Sequence, residues 1–351
     1  MNEASQALEI RAAGEADEAA WERYVQAAPA ATVFHRPAWS KAVEAAYGHL
    51  PLHLLAWRDG QVAGVLPLFL VKSIFVGKVL VSIPYATYGG IVSDGPEVSR
   101  ALLAAGQELC RRHDAQYLEL RHRDSSGLDL PVLDRYDTFR KALPREPSAV
   151  LEQLPRKTRA AARKGIEGLG PEAVSFGRQH LQTIYGLYAW TLRRLGSPNY
   201  RRELFTRLDE LYGDDCVCLL VRDGGEPLAG VVSFRFRDEL VPYFSGSTEA
   251  GMEKGANNVM YVRLMEHAVR SGLRWFDFNR TRRDNHGPHA FKRYHGFEPA
   301  PLHYQVSLYK ATALPDLSPS NSKYKLAGRI WRKLPLWVTQ RAGATISKWI
   351  P

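Results

Sequence analysis

Two stretches of this 351-residue chain repeat one pattern, and that pattern decides the fold. Residues 55–65 read LAWRDGQVAGV, and residues 220–231 read LVRDGGEPLAGV. In each stretch an apolar run leads to Arg-Asp-Gly, then to Ala-Gly-Val and a second apolar run. Because Asp-Gly between two apolar runs is a hairpin signal, both stretches are predicted to form β-hairpins.

Two further matches follow in the same order and at a constant offset. Pro84-Tyr85 corresponds to Pro242-Tyr243, and residues 117–121 correspond to residues 275–279. Three ordered matches indicate two copies of one module. In each copy the hydrophobic periodicity predicts a helix, a hairpin, a further strand, a second helix and a last strand.

The predicted fold class is therefore α/β (α+β), with two tandem modules, each a mixed, mainly antiparallel sheet flanked by helices. The proline-bounded stretch Pro144–Pro155 separates the modules, and the Pro- and Ser-rich stretch Ala311–Ser322 separates a basic C-terminal tail. We place the three parts at residues 1–147, 148–312 and 313–351.

The composition excludes several classes of protein. With 45% hydrophobic and 24% charged residues, the chain matches the soluble globular average and is neither disordered nor collagen-like. The longest apolar run, residues 62–71, is too short to span a bilayer. The acidic N-terminus does not resemble a signal peptide, so we expect a cytoplasmic protein. Three cysteines without zinc spacing predict neither a disulfide framework nor a metal site.

Charge indicates the kind of partner. The net charge of +10 favours anionic partners, although an Arg-rich surface without that role explains it equally well. Five cations lie within residues 156–164, where the alternative is a solvated helix face. The tail from residue 314 carries seven Lys or Arg against one Asp, interspersed with Trp and Leu. It predicts peripheral contact with an anionic inner-membrane face, or else packing on the second module.

Three stretches resemble a known family. Residues 154–165 (LPRKTRAAARKG), residues 194–200 (RLGSPNY), and residues 276–281 (FDFNRT) with 291–297 (FKRYHGF) resemble the FemAB family of tandem Gcn5-related N-acetyltransferase (GNAT) modules. The second half is also similar to BioF2-like acyltransferase domains. With the tail, the chain resembles the branch that accompanies exosortase (PEP-CTERM) and exopolysaccharide systems. It departs from that branch at Asn279, where glycine is usual, and at Arg282 and Arg283.

The resemblance implies an acyltransferase. It would move an acyl or aminoacyl group to an amine or hydroxyl of a cell-envelope or exopolysaccharide precursor. That precursor would be a small molecule, or would be linked to a lipid or a nucleotide. Acyl-CoA is the implied co-substrate, with no tightly bound cofactor. Two alternatives stay open: an aminoacyl-tRNA-dependent peptidoglycan-precursor aminoacyltransferase, and an inert binding module of an exopolysaccharide or membrane assembly. The tRNA donor is less favoured, because the chain lacks sustained heptads for a coiled-coil arm.

A donor site is predicted where the second module's later helix begins. Free amides at a helix N-terminus attract phosphate, glycine allows close approach, and a lysine adds a cation. In GNAT modules this junction holds the pyrophosphate of coenzyme A. The alternative is an ordinary loop with an Asn N-cap. The residues concerned are Lys254, Gly255, Ala256, Asn257 and Asn258.

Asp277 is the first candidate catalytic residue. Strand alternation places it on one face with Trp275 and Asn279. Acyl transfer needs a group that accepts or orients the nucleophile's proton, and we favour an orienting role for this carboxylate. An ion pair with a neighbouring arginine is the equally supported alternative.

The resemblance adds two catalytic candidates and the binding residues. Tyr294 matches a tyrosine that protonates the leaving thiolate, and Lys292 matches a lysine near the acceptor's phosphates. His286, His289 and His295 offer titrating groups, but Gly287-Pro288 interrupts their spacing and no metal is expected. The residues assigned to substrate binding are Arg280, Arg282, Tyr85, Tyr243 and Tyr200.

Overall fold

The computed structural model describes residues 7–313 and 322–350. The strands are β1 (Glu9–Ala12), β2 (Leu50–Pro51), β3 (Leu54–Arg58), β4 (Gln61–Leu66), β5 (Phe69–Ser73), β6 (Gly77–Val81), β7 (Val92–Ser93), β8 (Tyr117–His122), β9 (Val132–Leu133), β10 (Tyr136–Ala142), β11 (Val174–Phe176), β12 (Cys216–Asp223), β13 (Glu226–Phe236), β14 (Glu239–Ser247), β15 (Trp275–Asp277), β16 (Thr281–Arg282), β17 (Pro299–Pro301) and β18 (His303–Leu308).

Helices flank these strands, which confirms the predicted mixed α/β class. They are α1 (Glu18–Ala27), α2 (Pro37–Tyr47), α3 (Pro96–Arg112), α4 (Ser148–Glu152), α5 (Arg156–Leu169), α6 (Leu181–Leu195), α7 (Arg202–Tyr212), α8 (Glu249–Glu253), α9 (Ala256–Arg270), α10 (His286–Tyr294), α11 (Ser322–Lys333) and α12 (Leu336–Ile346).

The chain forms two compact units. The first comprises the described residues among 1–134, 302–316 and 348–351, and the second those among 135–301 and 317–347. The sheets of the first unit run β1-β3-β4-β7 and β2-β5-β6-β8-β18-β9, and the large sheet of the second runs β11-β12-β13-β14-β15-β10-β16. Both predicted hairpins are confirmed, as β3–β4 and β12–β13. Asp59 and Gly60 have φ of 54° and 71°, the left-handed pair that a tight hairpin turn requires.

Each unit takes its last central strand from a distant part of the chain. Strand β10 precedes the second repeat, yet it pairs antiparallel with β15 in the second unit. Strand β18 follows the second repeat, yet it pairs antiparallel with β8 in the first unit. The boundaries drawn at 147/148 and 312/313 stay a prediction about the repeated modules, whereas the folded units interleave these two strands.

Helices cover both faces of the second unit's sheet. A Cβ at Gly246 of β14 would lie 2.3 Å from the backbone of Leu187, so α6 packs directly on that strand. On the other face α9 contributes Met260 and Leu264 to a core shared with Phe276. Helix α5 packs on α9 in turn, because a Cβ at Gly165 would lie 2.9 Å from Val259. Glycine is needed at both contacts, since any larger residue would push the helices away.

The described part of the tail packs on the second unit. The side chain of Arg193 donates to Leu334 O at 2.5 Å. The Asn199 amide donates to Gln340 O at 3.2 Å, and Arg201 donates to Ala344 O at 3.1 Å. These bonds support the packing alternative for α11 and α12. No helix in the described part of the chain has the length and hydropathy that a bilayer span requires.

Two glycines in the tail provide a matched test of this packing. A Cβ at Gly343 would lie 2.4 Å from Asn199 Oδ1, whereas one at Gly328 would lie 3.4 Å from Gly196 O. We therefore expect Gly343→Ala to destabilise the second unit by about 1–3 kcal/mol, the usual effect of overpacking. Gly328→Ala should be close to neutral. Urea unfolding of both variants is the measurement, and equal stabilities would show that α12 does not pack as described.

Candidate active site

The site begins where two parallel strands separate. Strands β14 and β15 pair only at Glu239–Trp275 and Leu240–Phe276. Further along β14 the register with β13 shifts, so that Tyr243 is the extra residue of a bulge. Bulges re-aim side chains and bend a strand away from its neighbour. The result is a gap in the sheet beside the carboxyl end of β15.

Asn279 bridges this gap in a strained conformation. Its φ is 60°, in the left-handed region that Asn tolerates better than other residues with a side chain. Its side-chain amide donates to Pro242 O at 2.7 Å, and its backbone N–H donates to Asp277 Oδ1 at 2.7 Å. Its Oδ1 is buried and has no hydrogen-bond partner among the described residues. Backbone strain with an open acceptor is typical of a functional position.

The side chain of Lys292 holds residues 278–280 in this conformation. Its side chain is buried, and Nζ donates to the carbonyls of Phe278 at 2.6 Å, Asn279 at 2.9 Å and Arg280 at 3.2 Å. Burial lowers the pKa of Lys292 to about 7, and the negative charge of Asp277 opposes that shift. All three ammonium donors are taken by backbone carbonyls, so Lys292 positions the 278–280 segment.

Asp277 is fully buried and points into the same segment. Its carboxylate accepts a hydrogen bond from the backbone N–H of Asn279 and lies near the Lys292 ammonium. These two interactions fit an orienting carboxylate. The structure thus brings together two of the predicted catalytic residues, Asp277 and Lys292, around Asn279, where the sequence departs from the family pattern.

His295 supplies a second open acceptor. Its Nδ1 donates to Phe291 O at 2.8 Å, because a carbonyl can only accept, so Nε2 carries the lone pair. Burial lowers the pKa of His295, and Nε2 has no partner among the described residues. The ring lies 6.1 Å from that of Phe278 and 6.3 Å from that of Tyr261. The imidazole is therefore a neutral acceptor at the edge of the site.

A polar row lies between β14 and α9, and of its residues the sequence analysis named only Asn257. Tyr261 donates to Ser245 Oγ at 3.2 Å, and Asn257 donates to Ser247 Oγ at 3.1 Å. Burial raises the pKa of Tyr261, which keeps its hydroxyl protonated. Residues two apart on a strand share a face, as do residues four apart on a helix, so this spacing was the available signal.

The predicted donor residues lie at the start of α9, beneath α5. Lys254 pairs with Asp223, and Gly255 has φ of 70°. A Cβ at Gly255 would lie 3.9 Å from Ala161 O of α5. Ala256 is fully buried, and the backbone N–H of Asn258 donates to Gly255 O at 3.0 Å. Their role in binding a donor stays a prediction.

Tyr294 lies apart from the buried group. Its side chain is 67% exposed, and its backbone carbonyl accepts from Thr158 of α5. Lys292, two residues earlier on α10, is 8% exposed. Residues two apart on a helix do not face the same way, so the two predicted catalytic side chains are not brought together.

The predicted binding residues divide into two sets. In the second unit the Arg280 guanidinium lies 4.9 Å from the centre of the Tyr136 ring, and Arg282 pairs with Asp284 at 2.9 Å. Also in that unit, the Tyr200 ring packs 6.2 Å from Phe244. In the first unit Tyr85 has φ of 58°, stacks 4.0 Å from Tyr47 and bonds His49 Nε2 at 2.8 Å.

Among the described residues one side-chain group has metal-ligand spacing, but its chemistry argues against a metal. Asp209, Cys216 and Cys218 lie close together. Arg178 already pairs with the Asp209 carboxylate at 2.7 Å. Interaction with Cys218 and burial raise the pKa of the Cys216 thiol, which disfavours the thiolate that a metal needs.

Comparison with known proteins identifies the kind of domain that contains these residues. Residues 152–293, which contain β14, β15, α9 and the Lys292 helix up to residue 293, match the family described as an acetyltransferase (GNAT) domain. No curated protein matches the sequence. The second unit is therefore similar, over these residues, to an acyltransferase domain of the GNAT type.

Solved structures share the fold across both units. The FemX crystal structure has a TM-score of 0.66 and 14% identity, covering 86% of this chain and 98% of that one. The C-terminal domain of a putative lysylphosphatidylglycerol synthetase from Agrobacterium fabrum has a TM-score of 0.53 and 12% identity, covering 84% and 92%. A tandem GNAT protein from the clavulanic acid biosynthesis pathway has a TM-score of 0.51 and 14% identity, covering 86% and 98%. The tandem GNAT-like fold is confirmed.

Proposed function

We propose that this acyltransferase moves an acyl or aminoacyl group to an amine or hydroxyl of a cell-envelope or exopolysaccharide precursor. One observation carries the proposal: the open, buried acceptor Asn279 Oδ1, held beside Asp277 at the gap between β14 and β15. An amine or hydroxyl nucleophile brings the N–H or O–H donor that this oxygen lacks. The exosortase-associated setting rests only on the resemblance.

The residues around the gap suit the two halves of acyl transfer. Asn279 and Asp277 orient the nucleophile, while Lys292 fixes the backbone that carries them. As the nucleophile attacks the acyl carbonyl and the bond to sulfur breaks, the leaving thiolate requires a proton. We assign this proton to Tyr261 of α9, whose hydroxyl is protonated and donates to Ser245 Oγ on β14. It replaces Tyr294 in our assignment.

Charge supports anionic substrates on both sides of the reaction. Helix α5 packs against the start of α9. It carries exposed cations, among them Arg156, Lys157 and Lys164. They favour the phosphates of acyl-CoA as donor. Arg280 and Arg282 follow β15 and favour a phosphate or carboxylate on the acceptor. Aminoacyl-tRNA as donor is the second candidate, since the α5 cations would serve it as well.

A transfer assay tests the function. Purified protein is incubated with acetyl-CoA, longer acyl-CoAs or aminoacyl-tRNA, and with a panel of amino sugars, nucleotide-linked sugars and peptidoglycan precursors. Thiol release and the mass of the acylated product are followed, and Asn279→Ala is the matched variant. We expect acceptor-dependent thiol release that this variant loses. Transfer only from aminoacyl-tRNA would identify the second candidate, and transfer from neither donor would contradict an active enzyme.

The donor site is tested separately at Gly255. An aspartate there places a negative charge at the start of α9 and should lower acyl-CoA affinity at least tenfold, because it repels the donor's phosphates. The matched control is Gly272→Asp at the other end of the same helix, where φ is 76° and nothing lies within 4 Å of a Cβ. Calorimetry with acetyl-CoA is the measurement. Equal affinities for the two variants would place the donor elsewhere.

A further inference from the structure

Exposed apolar side chains collect at one end of a sheet in the first unit. Ile74 and Phe75, in the turn between β5 and β6, are 67% and 47% exposed. Leu308 and Tyr309, where β18 ends, are 43% and 47% exposed. An ordinary turn uses Gly, Asn, Asp, Pro or Ser, so an Ile-Phe-Val turn needs another explanation.

The strand register places these residues at the same end. Strand β6 begins at Gly77 and the parallel β8 begins at Tyr117, while antiparallel β18 ends with Leu308 opposite Tyr117. The backbone N–H of Gln116 donates to Lys78 O at 2.7 Å, and the backbone N–H of Tyr309 donates to Gln116 O at 3.0 Å. This end of the sheet is called the turn surface below.

The last described residues join the turn surface. Ser73 Oγ donates to Trp349 O at 2.5 Å, and Ile350 is 38% exposed. The last described residues therefore add an apolar side chain beside the turn, and Lys348 adds a cation.

Lysines border the apolar side chains. Lys72 and Lys78 are exposed and stand directly opposite each other in the β5–β6 ladder. Like charges in that position destabilise a strand pair. Lys310 is close by and pairs with Asp114 at 2.5 Å. The Lys78 ammonium donates to His113 O at 3.2 Å and stays exposed. Exposed lysines beside an exposed apolar turn indicate a partner that is anionic and apolar together.

We propose that the turn surface docks on an anionic lipid bilayer, with Ile74 and Phe75 entering the headgroup region and the lysines contacting lipid phosphates. A bilayer interface offers apolar depth and negative charge in one plane, which this surface matches. A second copy of the chain would bring four facing lysines together and is disfavoured by their repulsion. Nucleic acid would match the lysines and leave the apolar turn unused.

Vesicle co-sedimentation tests the proposal with the full-length protein. Vesicles of phosphatidylglycerol and phosphatidylcholine are compared with phosphatidylcholine alone. Each cation near an anionic leaflet contributes roughly fivefold, so Lys72→Gln with Lys78→Gln should lower binding to the anionic vesicles roughly 25-fold. The charge-matched control, Arg23→Gln with Arg207→Gln, removes two exposed cations elsewhere and should change binding less than threefold.

The apolar turn is tested in the same assay. Ile74→Glu with Phe75→Glu should abolish the binding that survives at high salt, where charge attraction is screened. Leu211→Glu, at a 40% exposed leucine of the second unit, is the control and should bind like wild type. Thermal unfolding confirms that each variant is folded.

Three results would overturn the proposal. One is wild-type protein that stays in solution with anionic vesicles at low salt. Another is equal binding to anionic and neutral vesicles. The third is a dimer, measured by light scattering, that the Ile74→Glu with Phe75→Glu variant dissociates; this would make the turn surface an interface between copies.

Discussion

Replacing Lys292 with methionine is expected to lower the rate of acyl transfer about 100- to 1,000-fold, the range seen when one oriented donor is removed from an active site. Methionine keeps the length and apolar stem of lysine but donates no hydrogen bond. The carbonyls of Phe278, Asn279 and Arg280 would lose the ammonium that holds them. Asn279 would then relax from its left-handed conformation, and its open acceptor would leave the nucleophile's path.

The transfer assay described above measures this effect, with kcat and KM determined separately. Because Lys292 acts on the backbone that carries Asn279, kcat should fall more than KM rises. The matched control is Lys141→Met on β10, a half-buried lysine whose pKa is also lowered by burial and whose Nζ lies 5.5 Å from the Phe297 ring. That variant should stay within threefold of wild type. If Lys292→Met retains a third of wild-type activity, Lys292 does not position the site.

Local signals in the sequence predicted the two hairpins. They did not predict which distant strands pair with each other. Asp59-Gly60 carries its own turn preference, so β3–β4 could be predicted from a few residues. The pairing of β10 with β15, and of β18 with β8, joins residues more than a hundred positions apart. Periodicity reports which residues are buried and contains no information on such partners. The tandem fold was therefore predictable, and the interleaving of its strands was not.

The candidate site was predictable in part for a similar reason. Asp277 and Lys292 were found by alternation and by resemblance, but the three carbonyls that hold Lys292 depend on the folded path of residues 278–280. The assignment of Tyr294 could have been questioned from helix geometry alone, since it lies two residues from Lys292 on α10. Tyr261 was missed because its partner Ser245 lies on a strand that only the fold brings alongside α9.

The composition of the tail did not decide between its two predicted roles. Its charge was evident from seven basic residues, and both roles considered for it were compatible with that count. What selects packing on the second unit is the close approach of α12 to Asn199, which Gly343 allows. A glycine in the sequence does not show which close contact it permits. In the same way, the apolar turn at Ile74 and Phe75 could be recognised only from its exposure in the structure.

The buried charge of Lys292 should also make stability depend on pH. Its pKa falls from the ordinary 10.5 to about 7, so between these values the folded protein has released a proton that the unfolded chain still binds. Stability therefore rises with pH in that window, by about 1.4 kcal/mol per pH unit for this one group. Below pH 7 both states are protonated and the penalty for burying the charge is constant.

The difference in unfolding free energy between wild type and Lys292→Met isolates this contribution, because all other titrating groups are common to both proteins. From pH 7 to pH 10 the wild type should gain about 4 kcal/mol relative to the variant in urea unfolding. A flat difference would show that Lys292 keeps its ordinary pKa.

Asp277→Asn tests whether Asp277 interacts with the Lys292 ammonium. Without the carboxylate that opposes the shift, the pKa of Lys292 falls further, and the gain relative to the double variant Asp277→Asn with Lys292→Met should begin below pH 7. An unchanged onset would mean that Asp277 does not interact with this ammonium, and its orienting role would then rest on the Asn279 amide alone.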